Sequence, residues 1–319
     1  MSAMHADNSI DLSRVHGPIT FIGGGNMATA MIDGIESLDD APAVQVIDVA
    51  AEVLSRHEAH GRDATDDLVD GLAISSVVFL AVKPQHLAAM REALAAAIRP
   101  GTLLISVLAG TRCAALESFL PESVRVTRVM PNTPMAVGEG MCAVAAGARA
   151  DEVDVELTAA LCRPSAEVLV VPESRMDAIT AVSGSGPAYF FRFCEVLMTA
   201  AQDELDFSEA EARLLVCQTA KGASEYLAAT EGFPAGKLRR QVTSKGGTTA
   251  AALSVFDEGG LEQMARDALN AAVNRASELA AMTGGADLSP APVGTAGARS
   301  PQPPNARSSA TAPRPETRG

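Results

Sequence analysis

The sequence predicts an α/β fold in two parts: a parallel sheet covered by helices over residues 17–174, then an all-helical half over 175–283. Three observations predict it. Short apolar runs alternate with Ala-rich helical stretches in the first half, as parallel strands joined by helical crossovers do. A glycine turn stands between the first strand and the first helix. Strand signals stop after about Ser174, and the longer segments beyond it read as helices.

Residues 1–16 are polar and patternless and are expected to form a disordered arm. Gly17-Pro-Ile-Thr-Phe-Ile-Gly23 is a short buried strand entering the glycine turn, followed by a helix from Asn26 to about Leu38 and a strand at Val44–Ile47. Ser76–Val82 and Thr102–Val107 are further strands, and shorter ones are expected at 124–130, 141–145 and 167–171. The boundary falls near 172–178. Helices are expected from Pro187 and at 208–230, 248–257 and 260–282. Residues 284–319 hold seven of the 18 prolines with Ala, Ser, Gly and Arg, a composition that buries no core and predicts a disordered tail.

Composition excludes several classes of function. A net charge of −14 speaks against nucleic acid, which needs a basic face. The five cysteines are dispersed without metal-ligand spacing, as reduced thiols in a reducing compartment would be. No apolar run reaches the length of a membrane span, and the N-terminal stretch has no apolar core of a secretory signal. A soluble cytoplasmic protein is expected. No metal is expected either: His57 and His60 stand at i, i+3 with no carboxylates to complete a site, and read as a solvated helix face.

Gly23-Gly24-Gly25-Asn26-Met27-Ala28 fits G-x-G-x-x-A between a strand and a helix. Gly23 permits the tight turn, Gly25 lets backbone approach a pyrophosphate, and Ala28 allows close helix–strand packing. Asp48 follows the second strand. There it either bonds adenosine ribose hydroxyls, favouring NADH, or caps the next helix, and Arg56 lies close enough in sequence to tolerate NADPH. Ala81-Val82-Lys83-Pro84 turns at the carboxyl edge of the sheet, where Lys83 contacts cofactor or is simply solvated. Ala109-Gly110 has the small side chains needed beside a nicotinamide, or is a plain loop.

The helical half contains Thr243-Ser-Lys-Gly-Gly-Thr-Thr249, a polar glycine turn feeding a helix. Unpaired N–H groups and several hydroxyls there suit a small carboxylate; ordinary N-capping is the alternative. Val182-Ser-Gly-Ser-Gly-Pro-Ala-Tyr189 also opens a helix, with Ser185 or Gly186 near the cap and Pro187 in the first turn.

In this order FIGGGNMA, AVKP, Met130-Pro-Asn-Thr-Pro134, VSGSGPAY and TSKGGTTAAAL resemble the pyrroline-5-carboxylate reductase family over residues 17–282. The resemblance implies a Rossmann-type dinucleotide-binding domain, then an all-α dimerisation domain whose helices interlock with a second copy. Dimers also assemble further in the family. It implies that hydride from C4 of NADPH or NADH reduces the cyclic imine 1-pyrroline-5-carboxylate to L-proline. Gly23, Gly25, Asn26, Met27, Asp48, Ala81, Val82, Lys83, Pro84, Ala109, Gly110 and Asn132 would bind the cofactor. Ser244 and the backbone of Gly247, Thr248 and Thr249 would hold the substrate carboxylate, and the Thr249 hydroxyl would orient the ring nitrogen. Two departures stand near that loop: Arg240 where the family commonly has an acid, and Lys245 where proline is frequent. The rival readings are a related cyclic-imine reductase, a 3-hydroxy-acid dehydrogenase using Lys221, and a non-catalytic NAD(P)H sensor.

Overall fold

The computed structural model describes residues 12–230 and 232–282, all within one compact unit. The expected arm 1–11 and tail 284–319 lie outside the described residues. Residues 12–16, assigned to the arm, are pinned instead. The His16 N–H donates to the Ser76 hydroxyl at 2.6 Å, Ser76 N–H returns a bond to the His16 carbonyl at 3.1 Å, and Leu12 and Val15 pack on the core. Two apolar side chains in a polar stretch are enough to anchor it.

Eight strands form one sheet: β1 (Ile19–Ile22), β2 (Val44–Ile47), β3 (Asp63–Thr65), β4 (Val77–Leu80), β5 (Leu103–Ser106), β6 (Arg125–Met130), β7 (Gly140–Ala146) and β8 (Ala166–Val170). Their spatial order is β3-β2-β1-β4-β5-β6-β7-β8. Ile19 of β1 pairs with Val44 on one side and Val77 on the other, so the strand order reverses between β1 and β4. All neighbours are parallel except β6 and β7. The link 131–139 is too short for the crossover a parallel neighbour requires, so the chain turns straight back.

Helices α1 (Asn26–Glu36), α2 (Ala51–Ala59), α3 (Leu68–Leu72), α4 (Leu87–Ala97), α5 (Cys113–Glu117) and α6 (Glu152–Cys162) cover the sheet. Side chains alternate across it. Ile19, Phe21, Phe79 and Ile105 meet Met31, Ile32 and Ile35 of α1 and Leu157 and Leu161 of α6, whereas Ile22, Val78, Leu80 and Leu104 meet Leu72, Leu94 and Leu116. Phe21 and Phe79 stack across the central pair with centroids 4.4 Å apart.

Because β7 and β8 run opposite to the other strands, β8 ends at the edge of the sheet away from the β1 and β4 turns. The chain climbs back through α7 (Met176–Ile179) and a π-helical turn (Thr180–Gly184), with Met176 buried against Ala143, Ala145 and Val171. The wide turn leaves carbonyls without their usual helical partners. Tyr189 Oη donates to Ala181 O at 3.0 Å, and Asn132 Nδ2 donates to Ser183 O at 3.2 Å.

Then follow α8 (Gly186–Leu205), α9 (Glu209–Ala228), α10 (Ala235–Gln241), α11 (Thr248–Glu258) and α12 (Leu261–Met282). Ser208 caps α9 in a reciprocal pair with Glu211. Yet α8 buries only Gly186, α9 only Ala212, and α11 no residue. Phe190 and Phe191 remain 67% and 66% exposed. An amphipathic helix is stable only with its apolar side covered, and within one chain these sides are bare. Among the described residues no helix is long and apolar enough to cross a membrane.

Candidate active site

The turns after β1, β2 and β4 meet where the strand order reverses, the crevice in which open α/β sheets bind ligands. Gly23 has φ +95°, and a Cβ there would lie 2.8 Å from the Ala81 carbonyl carbon and oxygen, so only glycine lets the two turns touch. Gly25 is the opposite case: exposed, with no atom within 4 Å of an added Cβ. It caps α1 at φ −68° without a side-chain hydrogen bond, and α1 has no acidic residue in its first turn. The positive helix end with Asn26 and Met27 is therefore open to an anion. An open backbone cradle at a bare helix start fits a dinucleotide diphosphate.

Asp48 stands at this turn, but its carboxylate is engaged by protein. It accepts from Gly24 N–H at 2.9 Å and from Ala50 N–H, at the α2 cap, also at 2.9 Å. Its bond to Ala50 shapes the turn that leads into α2 without capping the helix itself. Arg56, exposed on α2, donates to the Gly24 carbonyl. His57 was expected on a solvated face; it is instead fully buried, its Nε2 3.0 Å from the same carbonyl. The ring has buried partners on both sides, Gly24 and Arg62, which spacing along α2 could not reveal.

On the β4 side, Ala81 and Val82 are half-buried, Lys83 is exposed, and Pro84 opens a short 3-10 turn. After β5, Ala109 is exposed and Gly110 adopts φ +71°, where a Cβ would come within 3.3 Å of Leu279 on α12. Asn132 is 8% exposed, its Oδ1 accepting Met141 N–H at 2.8 Å while Nδ2 holds the π-helical turn. Its side chain is thereby a brace between the sheet edge and the approach to α8.

A buried ionic row ties these parts together. Arg128 on β6, 2% exposed, lies 3.4 Å from Glu173 and 3.8 Å from Asp177. Glu173 also accepts Cys113 N–H at 2.8 Å, and Asp177 accepts the Ser277 hydroxyl of α12 at 3.2 Å. Burial, with Glu173 close by, pushes the Cys113 thiol up, which removes it as a thiolate nucleophile.

The second predicted site starts α11. Gly246 takes φ +73°, Gly247 is the N-cap, and no side chain caps the helix. A Cβ on Gly247 would lie 2.3 Å from the Ser244 hydroxyl, so glycine keeps that hydroxyl beside the helix start. The first-turn N–H groups of Thr248 and Thr249 have no side-chain cap, and the Ser244 hydroxyl lies beside them. Within one chain this loop is not packed onto the crevice. Among the described residues α11 packs on α12, and no strand makes a comparable contact with it. Lys221, the rival catalytic residue, is exposed on α9 and pairs with Glu225 at 3.6 Å.

Comparison with known proteins agrees with both halves. Residues 18–110 match the family described as NADP oxidoreductase coenzyme F420-dependent, and residues 173–279 match pyrroline-5-carboxylate reductase dimerisation. A pyrroline-5-carboxylate reductase of Pseudomonas aeruginosa is 40% identical over 279 residues, covering 83% of this chain and 98% of that protein. The chain belongs to the pyrroline-5-carboxylate reductase family. A second reductase of that family, from Haemophilus influenzae, is 40% identical over 270 residues, with 83% and 98% covered. The solved pyrroline-5-carboxylate reductase of Coxiella burnetii superposes with a TM-score of 0.75 at 37% identity, covering 82% of this chain and 98% of that one. The reductase family membership accounts for a nicotinamide-dependent oxidoreductase fold with its helical dimerisation half.

Proposed function

We propose that this chain reduces 1-pyrroline-5-carboxylate to L-proline with a reduced nicotinamide dinucleotide, the last step of proline synthesis, as a homodimer whose loops complete each other's sites. Family membership supports the reaction, and the uncapped, hydroxyl-lined start of α11 carries the substrate assignment. The cofactor, bound at the β1/β4 edge, supplies the hydride.

Gly23, Gly25, Asn26 and Met27 line the diphosphate, with Ala81, Val82, Lys83 and Pro84 along the opposite wall. Ala109, Gly110 and the backbone at Asn132 border the nicotinamide. Ser244 and the N–H groups of Gly247, Thr248 and Thr249 hold the carboxylate. The Thr249 hydroxyl orients the ring nitrogen and can relay a proton to it. No buried acid or base is required, because the imine can be protonated before attack; orientation and electrostatics carry the rate.

NADH is the preferred cofactor in this reading. Asp48 stands at the end of β2 and the loop Asp48-Val-Ala-Ala51 holds no cation, so a 2′-phosphate there meets the carboxylate first; the exposed Arg56, bonded through one N–H to Gly24 O, is the counter-charge at the same turn. The bare apolar sides of α8 and α9 support the interlocked dimer, formed by residues 175–283, while 17–174 form the dinucleotide domain. Their apolar groove, lined by Phe190, Phe191, Met198 and Cys217, is the surface offered to the second copy. Five free cysteines, three of them buried, support a reducing, cytoplasmic location.

The test follows the absorbance of NADH and NADPH with and without 1-pyrroline-5-carboxylate. Imine-dependent oxidation is expected, faster at low concentration with NADH. Folded protein that binds cofactor and oxidises neither would overturn the assignment.

A further inference from the structure

We infer that His57 is a positioning residue for the dinucleotide turn, held in a single tautomer by Arg62. The inference rests on the assignment of Gly23–Ala28 to the cofactor diphosphate. His57 lies on α2, fully buried, with Nε2 3.0 Å from the Gly24 carbonyl and Nδ1 3.2 Å from Arg62 Nη1. A guanidinium only donates, so Nδ1 must accept; the single proton of the neutral ring sits on Nε2 and goes to Gly24 O. Arg62 is itself fixed, with Nε and Nη2 on the Glu36 carboxylate at 2.9 and 2.7 Å and a further bond to Asp33. Both acids belong to α1, the helix that starts at this turn.

The geometry explains what such a bond does. The Gly24 carbonyl and the Gly25 N–H share one planar trans peptide and point in opposite directions. Holding the carbonyl inward on His57, with Arg56 as a second donor to the same oxygen, aims the Gly25 N–H away from His57, at a residue whose own Cβ position is open. The ring also fills the volume beneath the turn, since a Cβ on Gly24 would lie 2.8 Å from Nε2. Asp48 fixes the other side of Gly24 through its N–H at 2.9 Å. The turn is therefore set for an anion before any arrives, and ordering it on binding is avoided.

The test compares His57→Leu, which removes the donor, with His57→Gln, whose amide can donate at the same reach. NADH titration of wild type comes first; absence of binding there would overturn the functional assignment rather than this inference. His57→Leu should raise both the Kd and the KM for NADH about tenfold. At saturating cofactor its kcat and its KM for the imine should change by less than about twofold. His57→Gln should recover most of the affinity. Wild-type affinity in the leucine variant, or a fall in kcat at unchanged cofactor KM, would overturn the inference. Nitrogen-15 NMR of the wild-type imidazole decides independently, should the leucine variant not fold. A proton on Nε2 with bare Nδ1 is expected, and a proton on Nδ1 overturns the inference.

Discussion

Replacing Gly25 by alanine adds one methyl group to the side of the turn that faces solvent. Its φ of −68° is ordinary for alanine, and the new Cβ touches nothing. Alanine is a poorer N-cap than glycine but restricts the unfolded chain, so stability should stay within about 1 kcal/mol of wild type. The same methyl stands where a diphosphate must reach the backbone. Losing one charge-assisted hydrogen bond there costs about 1.5–3 kcal/mol, a loss of roughly ten- to a hundredfold in NADH affinity. Gly23→Ala is the control, two residues away. At φ +95° the left-handed conformation costs alanine about 1–2 kcal/mol, and the 2.8 Å approach to the Ala81 carbonyl adds about 1–3 more. For a chain of this size each kcal/mol lowers Tm by about 2–4 °C. Thermal unfolding and calorimetric titration with NADH separate the two effects. If Gly25→Ala bound NADH like wild type, or melted as early as Gly23→Ala, the placement of the diphosphate over Gly25 would be wrong.

Thr249→Ala should lower kcat while leaving NADH affinity nearly unchanged, and equal turnover in mutant and wild type would remove the role given to its hydroxyl. Phe190→Glu puts a charge on the bare side of α8; since a buried unpaired charge costs several kcal/mol, sedimentation should show dissociation, and an intact oligomer would move the interface elsewhere. The Arg14 guanidinium at 2.9 Å holds the Asp151 carboxyl down from 3.8 to about 2. A depressed carboxylate contributes stability that is complete above its unfolded value and lost as pH falls through its folded one. Asp151→Asn keeps the helix cap, so its deficit at pH 5 should close between about pH 4 and 2, and a deficit constant with pH would contradict the ion pair.

Features encoded over a few residues were readable in the sequence. The Gly23–Ala28 turn declares itself because strand, glycine spacing and helix are contiguous, and the structure puts it at the β1/β4 reversal. Seven of the eight strands follow from apolar runs; β3, Asp63-Ala-Thr65, does not, because it is a three-residue edge strand beside β2 whose residues carry no apolar pattern. α10 is short and contains Gly236, which weakens its helical signal. What stayed hidden depends on partners distant in the chain. Burial of His57 is set by Gly24 and Arg62, and the π-helical turn by Asn132 and Tyr189. The sequence showed the helices of the second half but not how bare a single copy leaves them.

That bareness has a genetic consequence. If each crevice is served by its partner's loop, as proposed above, a chain with a damaged crevice still lends a sound loop, and a chain with a damaged loop still lends a sound crevice. Two alleles, each inactive alone, would then complement when co-expressed. Under random pairing half of the dimers are mixed and each restores one of its two centres, returning about a quarter of full activity. A strain auxotrophic for proline would grow on the pair and on neither allele by itself.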